Sequence, residues 1–431
     1  MHSTIKIKSV LAFALFLASS PAWAANWPQW RGPELNGSTS ETNLPSTWSK
    51  TENVLWTAPL PGQSHATPII WDDSVFVNSP DADANLLLLC LDRHTGAIRW
   101  QKQIGEGNRV KGLNNMASPS PVTDGKTIWT MFGTGDLAAF DYSGKQLWTR
   151  NLPKEYGRFI INWLYGSSPL FYKGRLYVEV LRRVPGDSFL LCIDPLTGSN
   201  IWRHVRHTDA IQESQEAYST PMPAECAGHS EIIVVGGDYV TGHDAATGEE
   251  LWRGGGLRNF RHRGDARIVP TPVVADGLVF VCGPKRNPFL AFHDCGKGDI
   301  TTTGLAWSNS EYSTDCVTPL FYQDKLFMLD GDKQVMVCFD PTTGKVNWRQ
   351  SLGVHEIFRA SPTGADGKIY CFSEYATAVV LSATDGKIVS IIKMNEGDQT
   401  DQGLTHSTIA AAQGCLFIRS ASHLYCIARK Q

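Results

Sequence analysis

Apolar positions along this chain fall in short bursts separated by turn-forming residues. Runs such as Lys368-Ile-Tyr-Cys-Phe372 and Leu326-Phe-Met-Leu329 are a few residues long and bounded by Gly, Asp, Thr or Pro. This alternation is the period-2 pattern of β-strands.

The bursts recur in units of roughly 41 to 55 residues, the period of propeller blades. Units end on a turn followed by tryptophan, as in Asp92-Arg-His-Thr-Gly-Ala-Ile-Arg-Trp100, Asp141-Tyr-Ser-Gly-Lys-Gln-Leu-Trp148, Asp194-Pro-Leu-Thr-Gly-Ser-Asn-Ile-Trp202, Asp244-Ala-Ala-Thr-Gly-Glu-Glu-Leu-Trp252 and Asp340-Pro-Thr-Thr-Gly-Lys-Val-Asn-Trp348. Trp56 and Trp307 end weaker copies, and Thr384-Asp-Gly-Lys-Ile-Val-Ser390 has serine in the tryptophan position. Short polar side chains bond the turn backbone, glycine supplies a positive φ, and the indole fills the wedge between radially arranged sheets.

Units open on Ser or Thr before proline: Thr67-Pro68, Ser118-Pro119, Ser168-Pro169, Thr220-Pro221, Thr271-Pro272, Thr318-Pro319 and Ser361-Pro362, with Thr408-Ile409 as an eighth opening. Proline is tolerated at the first residue of a strand, so each unit is read as four strands. The last unit has room for only three, while Asn53-Val-Leu-Trp56 is an outer strand with no blade before it. The expected fold is therefore all-β: an eight-bladed β-propeller of four-stranded antiparallel blades, closed by pairing of the N-terminal strand with the C-terminal blade.

At the N-terminus, Lys6 and Lys8 precede the apolar run Val10–Ala18 and the small-residue stretch Ser19-Ser-Pro-Ala-Trp-Ala24. The run is too short for a spanning helix, which needs about 20 apolar residues, and reads as a secretory signal cut before Ala25. No cysteine follows it, so no lipid anchor is expected. The division is residues 1–24 signal peptide, 25–52 an N-terminal arm and 53–431 the propeller, in a periplasmic or extracellular, monomeric protein. Deleting residues 26–60 is expected to destabilise the protein strongly, and trimming only residues 25–45 to do much less.

Of the 431 residues, 42% are apolar, enough for a large core, and a formal net charge of −3 leaves no basic footprint for nucleic acid. Cys90, Cys192, Cys338 and Cys426 recur within apolar repeat positions and read as small buried hydrophobes. Cys415 and Cys426, on successive strands, are the candidate disulfide pair. No Cys-x-x-Cys occurs, so zinc ribbons, thioredoxin chemistry and c-type haem are unsupported.

Together the Asp-x-x-Thr-Gly-x-x-x-Trp and Ser/Thr-Pro motifs resemble the pyrroloquinoline-quinone-like (PQQ-like) repeat superfamily over nearly the whole mature chain. One branch is the BamB-like propeller of the outer-membrane assembly machinery, a non-catalytic scaffold. Another is the quinoprotein alcohol dehydrogenases, which hold PQQ and calcium at the axis. Asn26-Trp-Pro-Gln-Trp-Arg-Gly-Pro33 resembles a stretch common at the start of exported PQQ-like proteins. The resemblance implies a scaffold with no cofactor, because the adjacent cysteine pair that packs on the quinone and the roofing insertions are missing. PQQ with calcium in an alcohol or sugar dehydrogenase is the alternative. The partner is expected to be a protein of the cell envelope or a small ligand at the axis.

Function in propellers gathers where the loops converge on the axis. The residue three before each Pro68-type position gives His65, Met116, Gly166, Tyr218, Val269, Cys316, Arg359 and His406. Only His65 and His406 could pair on a metal there, and they are expected instead to line the channel. Arg258, Arg261, Arg263 and Arg267 crowd one loop and suit a carboxylate or phosphate. The insertion 156–165 brings Trp163 and Tyr165, as an exposed partner patch or as packing over the channel mouth. Asp81-Ala-Asp-Ala-Asn85 lacks the glycine of a calcium loop and reads as a hairpin turn.

Overall fold

A computed structural model describes residues 25–49, 51–257, 266–285, 288–394, 401 and 403–429. The proposed signal segment 1–24 lies outside them. Seven four-stranded sheets and one five-stranded sheet make eight blades. Blades 1 to 7 span residues 69–106, 122–151, 170–205, 222–254, 273–309, 320–351 and 363–393. The first strands of neighbouring blades touch one another, forming a ring around the axis.

Blade 8 closes the circle. Its strands Ala410–Ala412, Cys415–Arg419 and His423–Ile427 are completed by Val54–Pro59, which pairs antiparallel with the last of them from Val54↔Ile427 to Pro59↔His423. The edge that three strands alone would leave open is thereby covered. Among the described residues, no helix is long and apolar enough to cross a membrane.

The repeat motifs act between blades. Trp100 Nε1 donates to Tyr142 O, Trp148 Nε1 to Pro195 O, Trp202 Nε1 to Ala245 O and Trp307 Nε1 to Pro341 O, each in the turn of the following blade. A Cβ on the turn glycine would sit 2.7 Å from the Trp148 ring at Gly198 and 2.5 Å from Trp202 at Gly248, and both glycines have positive φ. The glycine thus serves two purposes, a left-handed backbone and room for the neighbour's indole.

The opening hydroxyls form a belt around the axis. The N–H groups of Thr67, Ser120, Ser168, Thr220, Thr271, Thr318 and Thr408 donate in turn to the side-chain oxygens of Ser120, Ser168, Thr220, Thr271, Thr318, Ser361 and Thr67. This corrects the register of blade 2. The tandem Ser118-Pro119-Ser120-Pro121 offers two equivalent openings, and Ser120, not Ser118, carries the belt position.

The N-terminal arm is bonded into the ring. Trp27 is fully buried and exchanges both backbone hydrogen bonds with Ile70 of blade 1. Pro28 O accepts from Thr123 in blade 2, the Gln29 amide bonds both backbone groups of Phe171 in blade 3, and Trp30 Nε1 donates to Thr271 Oγ1 beside blade 5. Arg31 is 1% exposed and donates to Pro319 O at 2.6 Å and Pro362 O at 3.1 Å, at blades 6 and 7. Five successive residues therefore bond six blades, which argues against the expectation that trimming residues 25–45 does much less than removing the strand at Trp56.

The disulfide is also elsewhere. Cys226, ending the first strand of blade 4, is bonded to Cys295 in an insertion of blade 5, and that insertion adds Gly298–Asp299 alongside the outer strand of blade 4. Cys415 and Cys426 do come together, but as free thiols that hydrogen-bond each other. Cys90, Cys192, Cys338 and Cys426 are buried as their patterning implies.

Candidate functional site

The loops before each blade's first strand enclose an axial cavity of about 510 Å³. Its floor is the hydroxyl belt, through Ser120, Ser168, Thr220, Thr271, Thr318 and Ser361, with the Trp30 indole set among them. Above the belt stand His65, Gly166, Tyr218, Val269, Cys316, Arg359 and His406, the positions expected from the repeat. In blade 2 the shifted register replaces Met116 by Ser118, and Met116 is 2% exposed in the core beneath.

The 156–165 insertion meets a second element, absent from the repeat, beside the cavity. The outer strand of blade 1 runs into a small hairpin, Val110–Lys111 with Asn114–Asn115, which leans on the 156–165 insertion. Lys111 Nζ bonds Asn162 Oδ1 at 2.9 Å and lies 5.9 Å from the Trp163 ring centre. Asn114 Nδ2 donates to Trp163 O and Leu164 O. Trp163 is 38% exposed, lines the cavity and donates from Nε1 to Glu213 Oε1 at 2.6 Å. Tyr165 instead lies in the core at 2% exposed, its hydroxyl donating to Glu179 O.

Four cations, Lys111, Arg267, Lys285 and Arg359, face the cavity against one carboxylate, Asp315. Burial works against the charge of Arg267, but Asp315, gripped through two contacts of 3.0 Å, holds its pKa above the ordinary arginine value. Arg359 is placed by Asp332 at 2.9 Å and Glu374 at 3.5 Å. Arg258, Arg261 and Arg263 lie outside the described residues.

His65 and His406 stack with ring centres 4.2 Å apart and planes 22° from parallel. Burial, then the charges of His406 and Arg419, push the His65 pKa well below its usual value, and its buried Nδ1 has no hydrogen-bond partner. His406 Nε2 meets Glu374 Oε1 at 3.0 Å. Stacked rings lie face to face and do not converge on one ion. Among the described residues, the two clusters with metal-ligand spacing lie away from the cavity: His204, His243 and Glu250, and Cys226, His229 and Glu231, where Cys226 is consumed by the disulfide. Burial also pushes the Cys316 thiol up to about 12, so it is no ready nucleophile. The Asp81 turn is the expected hairpin, its carboxylate accepting from Asp83 N and Asn85 N.

Comparison with known proteins places the chain. The family model described as outer membrane protein assembly factor BamB matches residues 38–160, 158–318 and 299–430. The chain belongs to this family of PQQ-like repeat propellers. No curated protein sequence matches it. BamB from Moraxella catarrhalis superposes with a TM-score of 0.58 at 16% identity, over 86% of this chain and 98% of that one. The quinohemoprotein alcohol dehydrogenase from Comamonas testosteroni gives 0.68 at 10% identity, over 94% and 81%. A europium-containing methanol dehydrogenase gives 0.64 at 11%, over 86% and 85%. At such identities these likenesses establish the propeller fold alone.

Proposed function

We propose that the protein is an exported, non-catalytic binding propeller of the bacterial cell envelope, and that it holds a small carboxylate-bearing ligand with an apolar or aromatic body in the axial cavity. One observation carries this reading. The cavity is lined by Trp30, Trp163 and four cations, of which Arg267 is oriented by Asp315 and Arg359 by Asp332 and Glu374. Its volume of about 510 Å³ suits a small organic molecule. Arginines offer planar, bidentate donors to a carboxylate, and the flanking indoles and Tyr218 supply apolar faces.

The residues do not fit a calcium–quinone pair. Calcium takes six to eight oxygens, several of them from carboxylates. Here Asp315 is spent on Arg267, Glu374 on His406 and Arg359, and Glu216 on Tyr218, the Asn162 N–H and Arg183. No adjacent cysteine pair is present to pack on a quinone.

Titration with benzene-1,3-dicarboxylate, followed by tryptophan fluorescence and calorimetry, tests the reading, with dye-linked alcohol oxidation after addition of PQQ and calcium run in parallel. Saturable 1:1 binding that is weakened by Arg359→Ala, without turnover, is expected. Robust alcohol oxidation, or binding indifferent to Arg359→Ala, would overturn it.

A further inference from the structure

Glu41 is a buried carboxylate, 6% exposed, in the N-terminal arm. Among the described residues no Lys, Arg or His pairs with it. Its Oε2 accepts the N–H of Gly414 at 2.6 Å, in the tight turn between the first two strands of blade 8. Its Oε1 accepts from the backbone nitrogen of Ala25. An ionised carboxylate in such a place is costly unless a positive group meets it.

Ala25 is the residue that the signal-peptide reading makes first in the mature chain. While Ala24 is attached, the Ala25 nitrogen is a neutral amide with one hydrogen to give. Hydrolysis of the Ala24–Ala25 bond by a signal peptidase breaks that amide. Water supplies the hydroxyl that completes the Ala24 carboxyl group and the hydrogen that completes the Ala25 amine, which then takes up a proton and becomes an ammonium with three donors. The position is held from both sides. Ala25 O accepts from Gln413 N at 3.1 Å, and Asn26 Oδ1 accepts from Asp72 N at 2.9 Å and Gln413 Nε2 at 2.8 Å. The nitrogen is thereby anchored between the turns of blades 1 and 8, where the ring closes.

We infer that Glu41 is a built acceptor for the protein's own processed N-terminus, so that removal of the leader creates the charge that completes the closing blade. This rests on the export reading only for the identity of the first residue. The carboxylate has a ligand of defined chemistry, an α-ammonium presented by Ala25 and by no other residue of the chain. The arm is then a segment whose final docking follows processing.

The test uses the complete mature chain, released from a fusion whose protease leaves Ala25 first, beside the same chain carrying one additional alanine before Ala25 and a Glu41→Gln variant of each. The chain that starts at Ala25 should melt highest, with the extension and Glu41→Gln each lowering the midpoint by roughly 3–6 °C. The two changes together should cost little more than either alone, the signature of one shared interaction. A second readout survives poor folding: α-amine acylation by an activated ester should be slowed at least tenfold in the native Ala25 chain relative to the extended one. Equal melting of all four proteins, additive losses or equal labelling would overturn the docking. The N-terminal mass of protein recovered from the cell envelope tests export separately: a Met1 start there would overturn the export reading and with it the natural source of the ammonium, while melting and labelling of the Ala25 chain still decide whether Glu41 binds such a group.

Discussion

The indole of Trp56 lies against Gly96: a Cβ built on that glycine would come within 2.6 Å of the ring, and Trp56 Nε1 donates to the neighbouring Arg93 O at 2.7 Å. The two residues belong to different ends of the circle, Trp56 to the strand that completes blade 8 and Gly96 to the turn of blade 1. Ring closure thus repeats the contact found between interior blades. Trp56→Ala should cost about 3–5 kcal/mol. Gly96→Ala meets both the ring and a φ of +73° and should also destabilise, and the double variant should lose less than the sum. Urea denaturation of the three variants measures this.

The buried plug makes a second prediction. Arg31→Ala leaves Pro319 O and Pro362 O without their donor and empties a fully buried site. Unpaired buried carbonyls cost about 1–3 kcal/mol each, so a loss of several kcal/mol is expected. A chain beginning at residue 46 should aggregate or melt far below the mature protein by calorimetry, although it keeps every strand of the eight blades.

A third concerns acidity. Burial pushes the Glu179 carboxyl up to about 8, against the Ser219 hydroxyl that donates to it and the charge of Arg206. Its folded pKa is above its unfolded value of about 4.5, so the native state holds a proton that the unfolded chain has released. Stability from this group is full below pH 4.5 and falls as pH rises to about 8. Glu179→Gln should flatten that decline and raise the midpoint at pH 8 by a few degrees, read from melting curves at pH 5, 6.5 and 8.

The fourth is covalent. Peptide mapping without reduction should find one linked pair, Cys226 with Cys295, and free thiols at the other eight cysteines. The bridge closes a loop of 69 residues, worth about 4 kcal/mol in the chain-entropy account. Cys226→Ser should therefore lower stability by a few kcal/mol, while Cys415→Ser, losing only a thiol contact, should cost less.

Much of this architecture could be read in the sequence because it is local and repeated. The Asp-x-x-Thr-Gly turns, the Ser/Thr-Pro openings and the orphan strand at Trp56 each depend on neighbours a few residues away or on a regular period. Seven of the eight axial positions followed from that period, and the eighth slipped because Ser118-Pro119 and Ser120-Pro121 are indistinguishable by composition. What escaped is irregular or distant. Arg31 meets carbonyls 288 and 331 residues away, and the Cys226–Cys295 bridge sits in an insertion that belongs to one blade only. The 156–165 insertion was legible as an exposed patch or as packing over the channel mouth, but the hairpin that meets it has strands of two residues, too short for any periodicity to register. Two tryptophans and a buried-capable arginine in Trp27-Pro-Gln-Trp-Arg31 were a signal, since such side chains seldom stay in solvent together.

At six of the eight openings of the axial belt the hydroxyl accepts from the blade before it, while the N–H of the same residue donates to the blade after it. Each of these blades therefore arrives carrying both halves of a one-way coupling, like links with a hook at one end and an eye at the other. Such a chain joins whatever the number of links, and a duplicated blade would insert without leaving a hook unmet. The one interrupted link falls at Thr408, whose hydroxyl has no partner, next to the blade where the arm bonds Gly364. Counting blades is thus left to the plug. Residues 27–31 hold partners in six different blades of this ring, so a blade gained or lost would have to be matched by the arm.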